Sequence, residues 1–284
     1  GASKGEGLGN AFLSHIRSVN ALFHIVRCFE DSDIQHVENR IDPVTDIQII
    51  NAELALSDLD ILEKNYQKLK KVQKTDDDKR KVQIIERAID LISNEKKLLG
   101  NLGNDEIEYL NTYQLISIKP VVYICNVDES SALSGNEFTK KIEDYAKDNK
   151  SEVLLISAKI ESEISQIADE KDKQDFLESM GLSETGLKRV IRKGYEILNY
   201  INYFTAGEKE LRAWTIIKGT MAPSAAGTIH SDMEKGFIRA ETISFDDYVA
   251  NNGESGAKEK GKLRLEGKEY EVKDGDVMHF LFNV

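Results

Sequence analysis

Asn126 and Glu129 close an apolar run, Pro120-Val121-Val122-Tyr123-Ile124-Cys125, in the order Asn126-Val127-Asp128-Glu129. Further along, Val153-Leu154-Leu155-Ile156 ends in the same way, in Ser157-Ala158-Lys159. An amide side chain both donates and accepts hydrogen bonds, and a carboxylate accepts them from an amine or a ring N–H. Those groups beside a Ser-Ala-Lys turn have the chemistry to read the edge of a purine base. The first motif alone is read equally well as Asn and Asp opening a turn after a strand. The second motif, ending its own apolar run, favours the pocket.

The elements that must hold these residues follow from the pattern. Short, continuous apolar runs rich in β-branched and aromatic residues read as strands buried on both faces, as in a parallel α/β sheet. Ligands of such sheets lie just beyond the carboxyl ends of the strands. Leu22 to Phe29 reads as another buried strand, preceded by a helix over 10–19 with Phe12, Leu13 and Ile16 on one face. Residues 1–10 hold four glycines and read as a loop.

From about Asp46 the period becomes helical. Leu59, Leu62, Tyr66 and Leu69 recur at three-four spacing, as do Val82, Ile85, Ile89 and Ile92 in a phase that continues to Leu99. The polar stretch 74–80 separates the two runs, so an antiparallel helical hairpin is predicted, with Lys96 in its seam. Such an arm reads as a spacer or as a docking surface. Residues 178–200 read mainly as one helix. Beyond Tyr203 the chain turns to short strands and glycine turns, at 213–217, 236–240, 269–272 and 277–282, with 252–258 a loop.

The chain has 284 residues, 40% hydrophobic and 31% charged, enough for two or three domains of an ordinary water-soluble kind. No apolar run approaches the length of a membrane span. Cys28 and Cys125 fall in predicted strands and read as core residues rather than a disulfide or a metal site. The net charge of −12 argues against binding nucleic acid through a broadly basic surface. Residues 205–284 carry 11 Lys and Arg against 14 Asp and Glu, which leaves them the less unfavourable place for a local RNA contact. There Lys235, Phe237 and Arg239 are predicted to alternate onto one strand face, either as an RNA contact or as an ordinary solvated face. His15 and His24 read as packing residues, and His230 and His279 have no second ligand at metal spacing. No Gly-x-x-x-x-Gly-Lys-Ser/Thr loop occurs in the sequence.

The pair of motifs resembles the base-recognition end of P-loop GTPases, where Asn-Lys-x-Asp is followed by Ser-Ala-Lys. Here Val127 replaces Lys and Glu129 replaces Asp. That variant is similar to the YchF/Obg-like ATPase family. The resemblance extends to 1–10, Val26-Arg27-Cys28-Phe29-Glu30, Tyr203-Phe204-Thr205-Ala206-Gly207, Arg212-Ala213-Trp214-Thr215-Ile216 and Asp274-Gly275-Asp276-Val277-Met278, and so to essentially the whole chain.

The resemblance implies an α/β fold. It would be a partial Ras-like P-loop nucleotide-binding domain (1–45 and 112–202) with an inserted helical hairpin (46–111) and a C-terminal TGS domain of ubiquitin-like β-grasp form (203–284). It implies a cytoplasmic, ribosome-associated ATPase that prefers ATP over GTP, uses Mg²⁺, and regulates translation or a stress response. Its partners would be the ribosome or ribosomal RNA and a protein at the helical arm, with neither membrane nor DNA. Asn126, Val127, Glu129, Ser157 and Ala158 would hold the base, Asn126 fixing the loop and Val127 lying against the ring. His36, in Asp33-Ile34-Gln35-His36-Val37, would orient the attacking water. Because the family's phosphate loop and Mg²⁺ ligands precede this segment, the chain is expected to be the remainder of a longer protein. The alternatives are a non-catalytic ribosome or RNA adaptor, and a GTPase, since Asn-x-x-Glu is a small departure from Asn-x-x-Asp.

Overall fold

A computed structural model of the chain describes residues 9–34, 40–72, 74–207 and 210–283. It divides into two compact units, Gly1–Ile191 and Arg192–Val284.

In the first unit, α1 (Gly9–Ser18) leads into β1 (Leu22–Arg27), followed by α2 (Pro43–Val72), α3 (Asp76–Ser93) and α4 (Asn104–Asn111). Then come β2 (Val121–Asn126), α5 (Glu137–Asp148), β3 (Glu152–Ile156), α6 (Ala158–Gln166), α7 (Glu170–Ser179) and α8 (Gly186–Ile197), whose last turns enter the second unit. The strands form a parallel sheet of order β1-β2-β3. β2, the middle strand, is buried through Val122, Tyr123, Ile124 and Cys125, as its unbroken apolar run predicts. β1 and β3 are the edges and are only partly covered: Phe23 and Ile25 of β1 are exposed, Ile25 to 67%. Among the described residues β1 pairs with β2 alone. On α1, Leu13 is buried but Phe12 is exposed.

The sheet packs through Val26, Cys28, Tyr123 and Cys125 against Ile142 and Ala146 of α5, Ile160 and Ile164 of α6, and Ile47 near the start of α2. Farther along, α2 belongs to a second core. Leu62 packs with Ile84, Ile85, Ala88 and Ile92 of α3 and with Leu98, Leu110 and Leu115. α3 starts on a capping box: Thr75 Oγ1 accepts from the Asp78 N–H, and the Asp78 carboxylate accepts from the Thr75 N–H at 3.0 Å. Backbone N–H donors, that of Lys74 first and then that of Thr75, hold the Asp78 carboxyl down to about 2. α3 ends at Ser93, so Lys96 is exposed outside any helical seam. Helix is also absent between Ser179 and Gly186.

One ion pair ties three segments of this unit together. Asp58 on α2, fully buried, accepts from Arg17 of α1 at 2.7 Å and from both the N–H and the hydroxyl of Ser117 at 2.7 Å. Arg17 also donates to Ser57 Oγ and to the Gln114 carbonyl.

The second unit holds β4 (Tyr200–Ala206), β5 (Leu211–Ile217), α9 (Ala222–Ile229), α10 (Ser231–Lys235), β6 (Phe237–Ser244), α11 (Phe245–Ala250), α12 (Glu254–Glu259), β7 (Arg264–Glu266) and β8 (Asp276–Phe282). The sheet order is β5-β4-β8-β6-β7, with β4 and β8 parallel and the other neighbours antiparallel. Tyr203, Ile216, Phe237, Met278 and Phe280 form the core with three alanines of α9. The Tyr203 hydroxyl donates to the Ala225 carbonyl at 2.8 Å, and burial pushes it up to about 12. The change of composition seen near Tyr203 falls inside β4, residues 254–259 are helical, and 269–272 form no strand beyond a single bridge from Glu271 to Met221.

Candidate nucleotide-base site

The carboxyl ends of β2 and β3 bring the two polar motifs together. Parallel pairing sets Asn126 opposite Ile156, so the residues that follow each strand emerge side by side. Val127 N–H donates to the Ile156 carbonyl at 2.8 Å, extending the ladder one step past the strand. Asn126 Oδ1 accepts from the Ala158 N–H at 3.0 Å. That amide is one of the free donors in the first turn of α6. The Asn126 side chain is thus a clasp between the two loops.

Ser157 precedes the first turn of α6 but does not cap it. Its side chain is buried, and its Oγ has no hydrogen-bond partner. A buried hydroxyl without a partner costs about 1–3 kcal/mol, so such groups are uncommon and call for a reason. This one lies at the end of a parallel strand, just before the N-terminus of α6.

Asp128 is the turn-former. It caps the short 3-10 turn Glu129–Ser131, and hydrogen bonds from Ser130, then from Ser131, hold its carboxyl below the usual range. Glu129, freed from that task, pairs with Lys159 on the first turn of α6. The Lys159 ammonium donates to it and lowers its carboxyl, and the carboxylate raises Lys159 in return. Glu129 and Lys159 thus form a charged pair across the two loops, beside the Asn126–Ala158 clasp. A ring N–H or exocyclic amine entering there would meet a carboxylate that is ionised and already oriented.

Val127 departs from expectation. Its side chain is only 2% exposed and packs in the sheet's core, because the extra ladder bond turns it inward. It offers backbone to the site and no side-chain face against a ring. His36 lies outside the described residues.

Two contributors escaped the sequence reading. Asn136 caps α5, accepting from Phe138 N and Thr139 N, while its Nδ2 donates to the Cys28 carbonyl at 2.7 Å. It fixes the end of β1 beside the pocket, and its signal was the Asn-x-x-Thr spacing ahead of an amphipathic run. Arg27, at the end of β1, donates to the carbonyls of Phe29, Asp31 and Ile34 and lies over the Phe29 ring at 4.8 Å. It folds residues 29–34 into a compact turn immediately before His36.

The RNA triad of the second unit is not one surface. Lys235 ends α10, and a register irregularity between Phe237 and Arg239 breaks the strand alternation. Phe237 is buried against Phe280, whereas Arg239 is exposed. Phe237 is therefore a core residue.

Across its whole length the chain is 50% identical to a Haemophilus ducreyi protein named Ribosome-binding ATPase YchF, covering 78% of that protein. It is 48% identical to the Bacillus subtilis protein of that name, covering 79% of it. The chain belongs to the YchF family. Residues 200–283 match the YchF-GTPase_C family, described as a protein of unknown function (DUF933). The YchF fold extends across both units: the structure of the Schizosaccharomyces pombe YchF GTPase superposes with a TM-score of 0.86 at 35% identity, over 99% of this chain and 77% of that one.

Proposed function

We propose that this YchF-family chain holds the adenine of ATP at the ends of β2 and β3, and that the protein it represents hydrolyses ATP in association with ribosomes. The observation that carries the base site is the buried, unpartnered Ser157 hydroxyl beside the Asn126–Ala158 clasp. The relatives named ribosome-binding ATPases supply the activity and the partner. Asn126 fixes the loop, Glu129 accepts from the base edge, and Ser157 with the backbone of Ala158 closes the pocket. Discrimination follows because a site built for one hydrogen-bond pattern leaves polar groups unpaired with the other.

Titration calorimetry with ATP, ADP and GTP tests this directly, with tighter binding of the adenine nucleotides expected. Preference for GTP would sink the adenine assignment. Hydrolysis draws on a phosphate loop that this sequence does not contain. Among the described residues no three metal-ligating side chains cluster, and the Mg²⁺ ligands are expected with the phosphate loop. His36 is the proposed water-orienting residue. In a longer chain carrying a phosphate loop, His36→Ala would abolish turnover and spare ATP binding; retained turnover removes it from the mechanism.

In this reading 1–45 and 112–202 form the nucleotide domain, 46–111 a helical arm for docking, and 203–284 a TGS domain contacting RNA through Lys235 and Arg239. The mixed sheet with parallel β4 and β8 supports the last assignment. A cytoplasmic location accords with ribosome association. The second reading is a non-catalytic ribosome adaptor; ribosome co-sedimentation indifferent to nucleotide would support it.

A further inference from the structure

The far end of α2 is basic in an acidic protein. Between Glu63 and Lys81 there are eight Lys and Arg against four Asp and Glu, a net of +4, whereas the whole chain carries −12. The acidic members are largely committed. Asp76, Asp77 and Asp78 occupy the first turn of α3, where a helix N-terminus favours negative charge. Asp76 pairs with Lys79, Asp77 with Lys81, and Asp78 completes the capping box.

Most of the remaining lysines lie on α2. At 3.6 residues per turn, Lys64, Lys68 and Lys71 fall within one narrow arc, diametrically opposite the seam of Leu62, Tyr66 and Leu69. All three lysines are exposed. Lys64 pairs with Asp60, and Lys68 and Lys71 form no ion pair among the described residues. Lysines in the last turn of a helix need no partner, because the C-terminal dipole favours them, but that effect fades within one turn. It accounts for Lys70 and Lys71. It does not account for Lys68, which stands a turn earlier, while Lys64 is balanced by Asp60. The stripe spans about 10 Å at the helical rise, long enough to follow several phosphates.

We propose that the Lys64–Lys68–Lys71 stripe docks on the phosphate backbone of double-helical RNA, and that it gives the chain a contact with ribosomal RNA in addition to the one proposed for Lys235 and Arg239. This docking rests on the ribosome-binding reading above and adds the site and the chemistry. Lysine is suited to it as a mobile point charge that follows a backbone without reading sequence. A-form RNA presents its phosphates and 2′-hydroxyls to such shape-based contact.

The test compares the chain with a Lys64→Gln/Lys68→Gln/Lys71→Gln variant and with a matched control, Lys140→Gln/Lys141→Gln/Lys147→Gln, on α5. Binding to purified ribosomes and to a short RNA duplex is measured across a salt series, with circular dichroism confirming that the helices persist. Each lost phosphate contact lowers the log–log salt slope by about 0.9, so the stripe variant should lose about 2 to 3 units of slope and the control almost none. A stripe variant with unchanged affinity and slope overturns the proposal. Loss of ribosome binding without any RNA-duplex binding by the parent chain also overturns it, in favour of an acidic protein partner. If the parent binds the duplex through the stripe but ignores ribosomes, the stripe stands and the ribosome reading falls.

Discussion

Ser157 is the side chain whose removal separates a ligand role from a folding role. Its hydroxyl is buried without a partner. Ser157→Ala should therefore leave the free chain as stable or more so, by up to about 1–3 kcal/mol, while a lost ligand hydrogen bond of about 0.5–1.5 kcal/mol weakens ATP about 2- to 12-fold. Urea denaturation and calorimetry on the same variant read both signs, and a destabilised Ser157→Ala would mean the hydroxyl is satisfied within the protein. Glu129 was legible in the sequence because it stood three places after Asn126 at a strand end. Val127's inward turn was not, because it depends on a ladder bond to Ile156 made far along the chain. His24, half-buried against Tyr123, is held below 6.5 by burial, with Asp46 pulling the other way. A depressed native value means the unfolded chain binds the proton more readily. Its contribution is thus full above 6.5 and lost as pH falls through the native value. His24→Gln should flatten stability over that interval, and identical pH profiles for the two proteins would contradict it.

Among the elements, α2 and α3 depend most on single contacts. Removing one member of a buried ion pair strands the other, at a cost of about 3–5 kcal/mol. Asp58→Ala leaves Arg17 and Ser117 without their acceptor, and a loss of that size is expected in chemical denaturation. A loss near zero would mean that Arg17 finds water instead. At the start of α3, Thr75→Ala should cost about 1 kcal/mol. It should also raise the Asp78 carboxyl from about 2, which a carboxylate NMR titration would follow. The capping box contributes fully above the ordinary value of 3.8 and is lost as pH falls towards 2. How legible each helix was depended on how it stops. After α7, Gly181 takes φ 73°, with Leu182 N–H returning to the Leu177 carbonyl; this is a glycine stop the sequence displayed within what read as a continuous helix. α3 ends in the same geometry, Lys96 N–H to the Leu91 carbonyl, but the left-handed residue is Glu95. Nothing in a glutamate announces that role, so the apolar phase ran on to Leu99. β7, three residues long, is too short to show a period.

For the molecule as a whole, the division into two units makes ligand effects local. Nucleotide at 100 times its dissociation constant should stabilise whatever it binds by about 2.7 kcal/mol. Amide exchange should then slow in the unit ending at Ile191 and stay unchanged from β4 onward; equal slowing in both would place the ligand elsewhere. The parallel strands and the two long helices were readable because each carries its own period. The segregation of charge has a kinetic consequence. A polyanion meets a net repulsion from this chain and a local attraction at the lysine stripe, so the field biases the protein's orientation before any contact forms. Encounters would be aligned arm-first, and the rate of capture, rather than the lifetime of the complex, should carry most of the dependence on ionic strength.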